Sequence, residues 1–255
     1  MDVKGQSAIV TGGGSGLGEA TAKMLARKGA TVVVFDLNMK GAERVAKEIG
    51  GTAIECNVSD PASAEKAFEA ARKAVGAARV LVNCAGIGSG ELLVKKDGSP
   101  SGVDLFQKTI AVNLFGTFNC MRIGAADMSK LAPLADDERG VIVNTASVAA
   151  FEGQIGQIAY SASKGGVVGL TLPAARELGR YGIRVMAIAP GYIQTPLLDQ
   201  VPEQFRAALF ASQVFPSKRF GKAEEYAALV LSIVENPMLN ASVIRLDAGT
   251  RMPPK

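Results

Sequence analysis

Histidine and tryptophan are absent from the 255 residues, and cysteine occurs only three times. Without histidine there can be no Ser-His-Asp or Cys-His nucleophile and no His-ligated zinc. Any acid or base must therefore be Tyr, Lys, Asp, Glu or Cys. Cys56, Cys84 and Cys120 lie far apart in apolar stretches without paired spacing. That pattern points to free thiols in a reducing compartment and gives no metal-binding signature. No apolar run approaches the roughly 18 residues of a membrane-spanning helix. The first apolar strand begins by about Ser7, so no signal or transit peptide is expected. A soluble, cytoplasmic protein with no membrane partner is expected. Runs of like charge are also missing: the formal charge is +4 and Lys and Arg are scattered, so no nucleic-acid partner is implied.

What is present is an ordinary globular composition, 48% hydrophobic and 20% charged, long enough for one large core. One domain covering residues 1–255 is expected. Residues 7–10 form a short apolar run that opens into Thr11-Gly12-Gly13-Gly14-Ser15-Gly16-Leu17-Gly18, and residues 19–28 then show helical spacing. Strand, glycine loop and helix form the first unit of a dinucleotide-binding fold. Glycine lets the backbone approach a pyrophosphate, and the helix start offers free N–H groups. Residues 31–35 are a second strand ending in Asp36, eighteen residues beyond Gly18. A carboxylate there hydrogen-bonds the adenosine ribose and repels a 2′-phosphate, so NAD is expected over NADP.

The alternation continues with a helix to about Ile49, a strand over 52–56, and a helix over 61–75 with Asp60 as its N-cap. A fourth strand over 80–82 opens into Asn83-Cys84-Ala85-Gly86. The periodicity then predicts one long helix over 104–128 with Asn113 in its middle, where a polar side chain needs a specific partner. Further strands are expected at 141–146, 183–189 and 243–247, and a helix at 223–235. The βαβα order predicts an α/β fold of the Rossmann type: a doubly wound parallel sheet of about seven strands with helices on both faces. Residues 87–103 form a polar, Gly-rich loop expected to serve the substrate, and residues 195–221, with three prolines, a mobile lid over it.

The chemistry centres on NTASVAAFEGQIGQIAYSASK, where Ser147 is followed thirteen residues later by Tyr160, and Lys164 stands one helical turn beyond. A cation about 4 Å from the phenol, at an effective dielectric of about 20, contributes about 4 kcal/mol. At roughly 1.4 kcal/mol per pKa unit, that would bring Tyr160 down by about three units, close to neutral pH. Such a phenolate takes a proton from an alcohol, and Ser147 offers a hydroxyl to the same oxygen.

Taken together, Thr11-Gly12-x3-Gly16-x-Gly18, Asn83-x-Ala85-Gly86, Asn113, Ser147, Tyr160-x3-Lys164 and Pro190-Gly191 resemble the classical short-chain dehydrogenase/reductase family. The stretches IAPGYIQTPLL and ENPMLNASVIRLD, and the long loop after Gly86, are similar to its type II 3-hydroxyacyl-CoA dehydrogenase subgroup. The resemblance implies an NAD-dependent enzyme, typically a homotetramer, that oxidises 3-hydroxyacyl-CoA or 2-methyl-3-hydroxyacyl-CoA thioesters. It implies Tyr160 as base, Ser147 orienting the substrate oxygen, Lys164 on Tyr160 and the nicotinamide ribose, and Asn113 holding a relay water. It places Gly12, Ser15, Gly16, Leu17 and Gly18 at the pyrophosphate, Asp36 at the adenosine ribose and Asn57 and Val58 beside adenine. Cys84 would lie near the adenosine side through its backbone, Ala85 and Gly86 also at the cofactor, and Ile193 and Thr195 at the carboxamide. Asn57 stands where the family usually has Asp, which implies weaker cofactor binding at most. Gln154 and Gln157 are candidates for contact with the thioester. The alternatives are a dehydrogenase of steroids or other secondary alcohols and a cofactor-sensing protein that keeps the fold without the chemistry.

Overall fold

The computed structural model describes residues 1–199, 203, 206, 209, 210, 214 and 219–254. Of the lid expected over 195–221, most of residues 200–218 lie outside the described residues. Seven strands run parallel in the order β3-β2-β1-β4-β5-β6-β7. They are β1 (Ser7–Thr11), β2 (Thr31–Asp36), β3 (Thr52–Glu55), β4 (Val80–Asn83), β5 (Gly140–Thr145), β6 (Ile183–Pro190) and β7 (Val243–Leu246). The helices, numbered among the described residues, are α1 (Gly16–Arg27), α2 (Met39–Ile49), α3 (Pro61–Val75), α4 (Asp104–Ile110), α5 (Gly116–Met128), α6 (Ile158–Gly179), α7 (Pro196–Asp199) and α8 (Ala223–Glu235).

Nearly every residue of the central strands is apolar, because both faces are covered. Successive side chains alternate between two cores. Val10, Val34, Val82, Val143 and Ile188 face α1, α2 and α8, while Ile9, Phe35, Leu81, Ile142 and Val185 face α3, α5 and α6. The expected seven-stranded doubly wound sheet is what the chain forms. Beside β1 the order reverses, with β2 on one side and β4 on the other, opening a crevice at the carboxyl ends of β1 and β4.

Local signals set the element ends. Asp60 caps α3 by accepting the Ala62 amide at 3.0 Å, with Pro61 as the first helical residue. Gly50 ends α2 in the left-handed conformation. The helix expected over 104–128 is one continuous run interrupted by a π-helical turn at Ala111–Phe115. Residues 87–103 contain a small hairpin, with Val94 bridged to Pro100 and the Lys95 amide donating to Ser99. No helix among the described residues is long and apolar enough to cross a membrane.

Candidate active site

The glycine loop lies at the crevice between β1 and β4. Gly12 has φ +64°, and a Cβ there would come within 2.8 Å of the Ala85 backbone. A Cβ on Gly18 would collide with the Gly12 carbonyl, and one on Gly14 would meet Asp36 Oδ2 at 2.9 Å. Side chains are thus excluded where a pyrophosphate would lie, and the β1 loop can approach the loop after β4. The hydroxyl of Thr11 accepts the Ala85 amide at 3.2 Å and fixes that approach. Ser15 caps α1 in extended conformation with no side-chain cap bond, so the helix start remains an anion site. Leu17 packs into the core beneath it. Asp36 accepts the amides of Gly14 and Asn38, each at 2.9 Å, one on each carboxylate oxygen. Gly16 lies 3.5 Å, by its missing Cβ, from Thr195, whose hydroxyl donates to the Ile193 carbonyl. Ile193 is buried and bridged to Gly221. These residues fit a dinucleotide.

Farther out, Asn57 turns its side-chain oxygen onto its own loop, accepting the Ser59 amide at 3.1 Å and hydroxyl at 2.7 Å. The expected contact from this oxygen to adenine therefore competes with an existing turn. Val58 is buried against Gly116, and its carbonyl accepts from Asn119. Cys84 is only partly buried; its amide donates to Thr11, and its thiol contacts the Tyr226 hydroxyl at 3.7 Å.

The second half of the site is assembled from β4, β5, α6 and the π turn. Asn113 is fully buried; it accepts the Ile87 amide at 2.8 Å and donates to the Ile87 carbonyl at 2.9 Å and to the Ser163 hydroxyl at 3.1 Å. Its amide is therefore spent on protein. The Asn113 backbone carbonyl accepts Thr117 Oγ1 at 2.7 Å. Gly86 brings the chain beside this clamp, its missing Cβ 3.2 Å from Asn113 Oδ1 and 3.6 Å from Lys164 Nζ. Ser163 passes its own proton to the Tyr160 carbonyl at 2.7 Å. Ser147, just past β5, accepts the Ala149 amide at 3.1 Å, which leaves its hydroxyl proton to donate elsewhere. The sequence reading missed Ser163, Thr145 and Tyr226. Ser163 stood within the Tyr160-x3-Lys164 motif, but nothing local marks Tyr226, which reaches Thr145 Oγ1 at 2.7 Å from α8.

The electrostatics differ from the expected ones. Lys164 Nζ lies 5.8 Å from the centre of the Tyr160 ring and donates to the Thr145 carbonyl at 2.8 Å. Burial pushes its pKa down to about 8. Burial pushes the Tyr160 phenol up, the larger effect, while hydrogen bonding with Ser147 pulls it back. The ammonium does not drag the phenol to neutral pH in this arrangement, because desolvation opposes both charges and the cation is turned to a carbonyl.

Gln154 and Gln157 are engaged with protein partners. Gln154 Nε2 donates to the Pro253 carbonyl at 3.1 Å, and Gln157 Oε1 accepts the Gln154 amide at 3.2 Å. Lys95 and Lys96 are exposed, with Lys95 near Glu91 at 4.0 Å.

A phenol, an amine and a hydroxyl gathered beside a dinucleotide crevice define an oxidoreductase that uses a nicotinamide cofactor. The chain belongs to the short chain dehydrogenase family, whose model matches residues 6–205. It is 49% identical over 255 residues to the human protein named 3-hydroxyacyl-CoA dehydrogenase type-2, covering 99% of this chain and 97% of that one. The Drosophila melanogaster protein of the same name is 46% identical, with 99% and 100% covered. A crystal structure of 3-hydroxyacyl-CoA dehydrogenase type-2 from Mycobacterium avium superposes with a TM-score of 0.93 at 42% identity, covering 98% of each chain.

The raised phenol and the amine near 8 set a pH dependence. With Tyr160 as the proposed base, the rate of alcohol oxidation is expected to rise with pH through 6 to 8 and to bend near 8, where the Lys164 charge is lost. Initial rates of oxidation across pH 6–10 check this; a plateau reached by pH 7 would mean that Tyr160 is already a phenolate there.

Proposed function

We propose that the protein is an NAD-dependent dehydrogenase of 3-hydroxyacyl-CoA or 2-methyl-3-hydroxyacyl-CoA, yielding the 3-oxoacyl thioester. The observation that carries this reading is the near-complete match to several proteins named 3-hydroxyacyl-CoA dehydrogenase type-2, in a chain whose Ser147, Tyr160, Lys164 and Asn113 surround one crevice. Tyr160 Oη takes the proton of the substrate hydroxyl, and Ser147 donates its hydroxyl proton to the same oxygen as charge develops on it. Lys164, charged below about pH 8, favours the phenolate and is placed to hold the nicotinamide ribose. Asn113 keeps Ile87 and Ser163 in register and offers its carbonyl to a relay water. When bound, the nicotinamide cofactor supplies the hydride acceptor. The residues proposed to hold it are Gly12, Ser15, Gly16, Leu17 and Gly18 at the pyrophosphate, and Asp36 at the adenosine ribose. Asn57, Val58 and Cys84 would enclose the adenosine, Ala85 and Gly86 would line the cofactor between it and Lys164, and Ile193 and Thr195 would hold the carboxamide.

The competing substrate class is steroids or other secondary alcohols. Initial rates with acetoacetyl-CoA and NADH, set against a steroid panel with NAD, separate the two. Equal or better turnover of steroids would overturn the thioester reading. Tyr160→Phe is expected to lose at least 10³-fold in turnover while binding NADH within about twofold of the parent, as general-base loss implies; unchanged turnover would remove Tyr160 from the chemistry.

The choice of NAD over NADP is supported by Asp36. Its two oxygens already accept backbone amides and retain lone pairs for ribose hydroxyls, whereas a 2′-phosphate would meet an anion. Asp36→Ala should shift the NADPH/NADH affinity ratio towards NADPH by at least tenfold, read by nicotinamide fluorescence. A parent protein that prefers NADPH would refute the assignment.

A homotetramer is supported by apolar surface on two neighbouring helical runs. Phe106, Phe115 and Phe118, along the α4–α5 run, and Leu172 on α6 are each about 40–47% exposed, apolar surface of the kind that marks protein–protein contacts. Light scattering should give four times the chain mass of 26.4 kDa; a monomer at micromolar concentration would exclude it.

A further inference from the structure

The segment between Ser147 and Tyr160 forms one wall of the site, and it has little regular structure to hold it. A 3-10 turn ends at Ala150, and α6 begins at Ile158. Its rigidity comes from elsewhere in the chain. Glu152 accepts two bonds from Arg245, at 2.9 and 3.2 Å, an ion pair from Arg251 at 3.2 Å and the Met252 amide at 3.0 Å. Arg245 also binds Asp247 at 2.6 Å and the Thr250 carbonyl at 3.2 Å, and lies 5.4 Å from the centre of the Phe151 ring. Beyond this knot, the carbonyls of Pro253 and Pro254 accept from the Gln154 side chain and the Ile155 amide, at 3.1 and 3.0 Å.

We propose that Glu152 is a positioning residue for substrate. By gathering Arg245, Arg251 and the Met252 amide it lays residues 250–254 as a strap along residues 152–157, and the strap fixes the wall beside Tyr160. Two contacts carry that constraint into the site. A Cβ on Gly153 would collide with the Ser161 hydroxyl, so the wall abuts the first turn of α6 next to Tyr160. On its other side the Gly156 carbonyl accepts the Glu91 amide at 2.9 Å, joining the wall to loop 87–103. The bonds that occupy Gln154 leave Ile155 and Ile158, 57% and 50% exposed, as the apolar surface of this stretch, near the exposed Leu92 and Leu93 of the joined loop. A surface of that chemistry suits an acyl chain. This last point rests on the thioester reading above; the strap itself does not.

Glu152→Gln keeps the shape and removes the charge. Its KM for acetoacetyl-CoA should rise about tenfold, with kcat and the NADH dissociation constant within about twofold of the parent. Hydrogen exchange of amides 153–157 should speed up at least tenfold, while that of 141–145 is unchanged. Arg251→Gln, an exposed residue whose loss cannot unfold the core, should move the same quantities in the same direction by a smaller factor. If the parent turns over another alcohol instead, the KM arm is read with that substrate and the exchange arm stands as written, so failure of the thioester reading is distinguishable from failure of the strap. The proposal is overturned if exchange at 153–157 does not change. It is also overturned if exchange rises with KM unmoved, or if kcat, KM and NADH binding all deteriorate together.

Discussion

The bond from Lys164 Nζ to the Thr145 carbonyl is the constraint on which the site depends. It joins α6, which carries Tyr160, to the last residue of β5, whose continuation carries Ser147. Lys164 is only 4% exposed, and an amine so buried needs a partner. Here the partner is a backbone carbonyl, which is fixed by the sheet and cannot swing away. Thr145 is itself held: its hydroxyl donates to the Asn83 carbonyl at 2.6 Å and meets the Tyr226 hydroxyl at 2.7 Å. Strands β4 and β5 and helices α6 and α8 therefore meet within one run of hydrogen bonds, and the phenol inherits its position from all four.

A comparable logic governs Asn113. A polar amide in the middle of a long helix is tolerated only when its hydrogen bonds are met, and here they are met by the backbone of Ile87 and by Ser163. The π turn at Ala111–Phe115 interrupts the helix at this point. Such turns add one residue to the helical ring and re-aim neighbouring side chains. The clamp on Ile87 then decides where loop 87–103 leaves the sheet, so that loop and the first turns of α6 are fixed to one buried residue.

Much of this was legible in the sequence because it is carried by spacing. The strand-loop-helix order around Gly12 to Gly18, the cap at Asp60, the i, i+4 relation of Tyr160 and Lys164 and the need of Asn113 for a partner are all local statements, and local physics decides them. What the sequence could not disclose depends on residues distant in the chain. Tyr226 reaches Thr145 across 81 positions, and the Pro253 carbonyl takes the Gln154 side chain across 99. A periodicity argument also cannot tell a continuous α-helix from one with a π turn, since the shift is a single residue. The charge estimate for Tyr160 and Lys164 went astray for a related reason: helical spacing fixes that two side chains share a face, but not which neighbour the amine chooses.

That choice bears on the chemistry. Burial raises the phenol and lowers the amine together, so both are driven towards their neutral forms. An isolated phenolate would be costly in such a place, but a phenolate formed beside an ammonium is a pair, and each charge reduces the desolvation cost of the other. The proton taken from an alcohol is thus best accommodated while Lys164 retains its own. For the proposed base, the lowered pKa of Lys164 would limit the pH range in which it can assist, and the raised pKa of Tyr160 would keep the phenolate a minor form below that limit. On the proposed mechanism, the site would not store a phenolate but would ease its formation as a substrate oxygen comes within reach of Ser147.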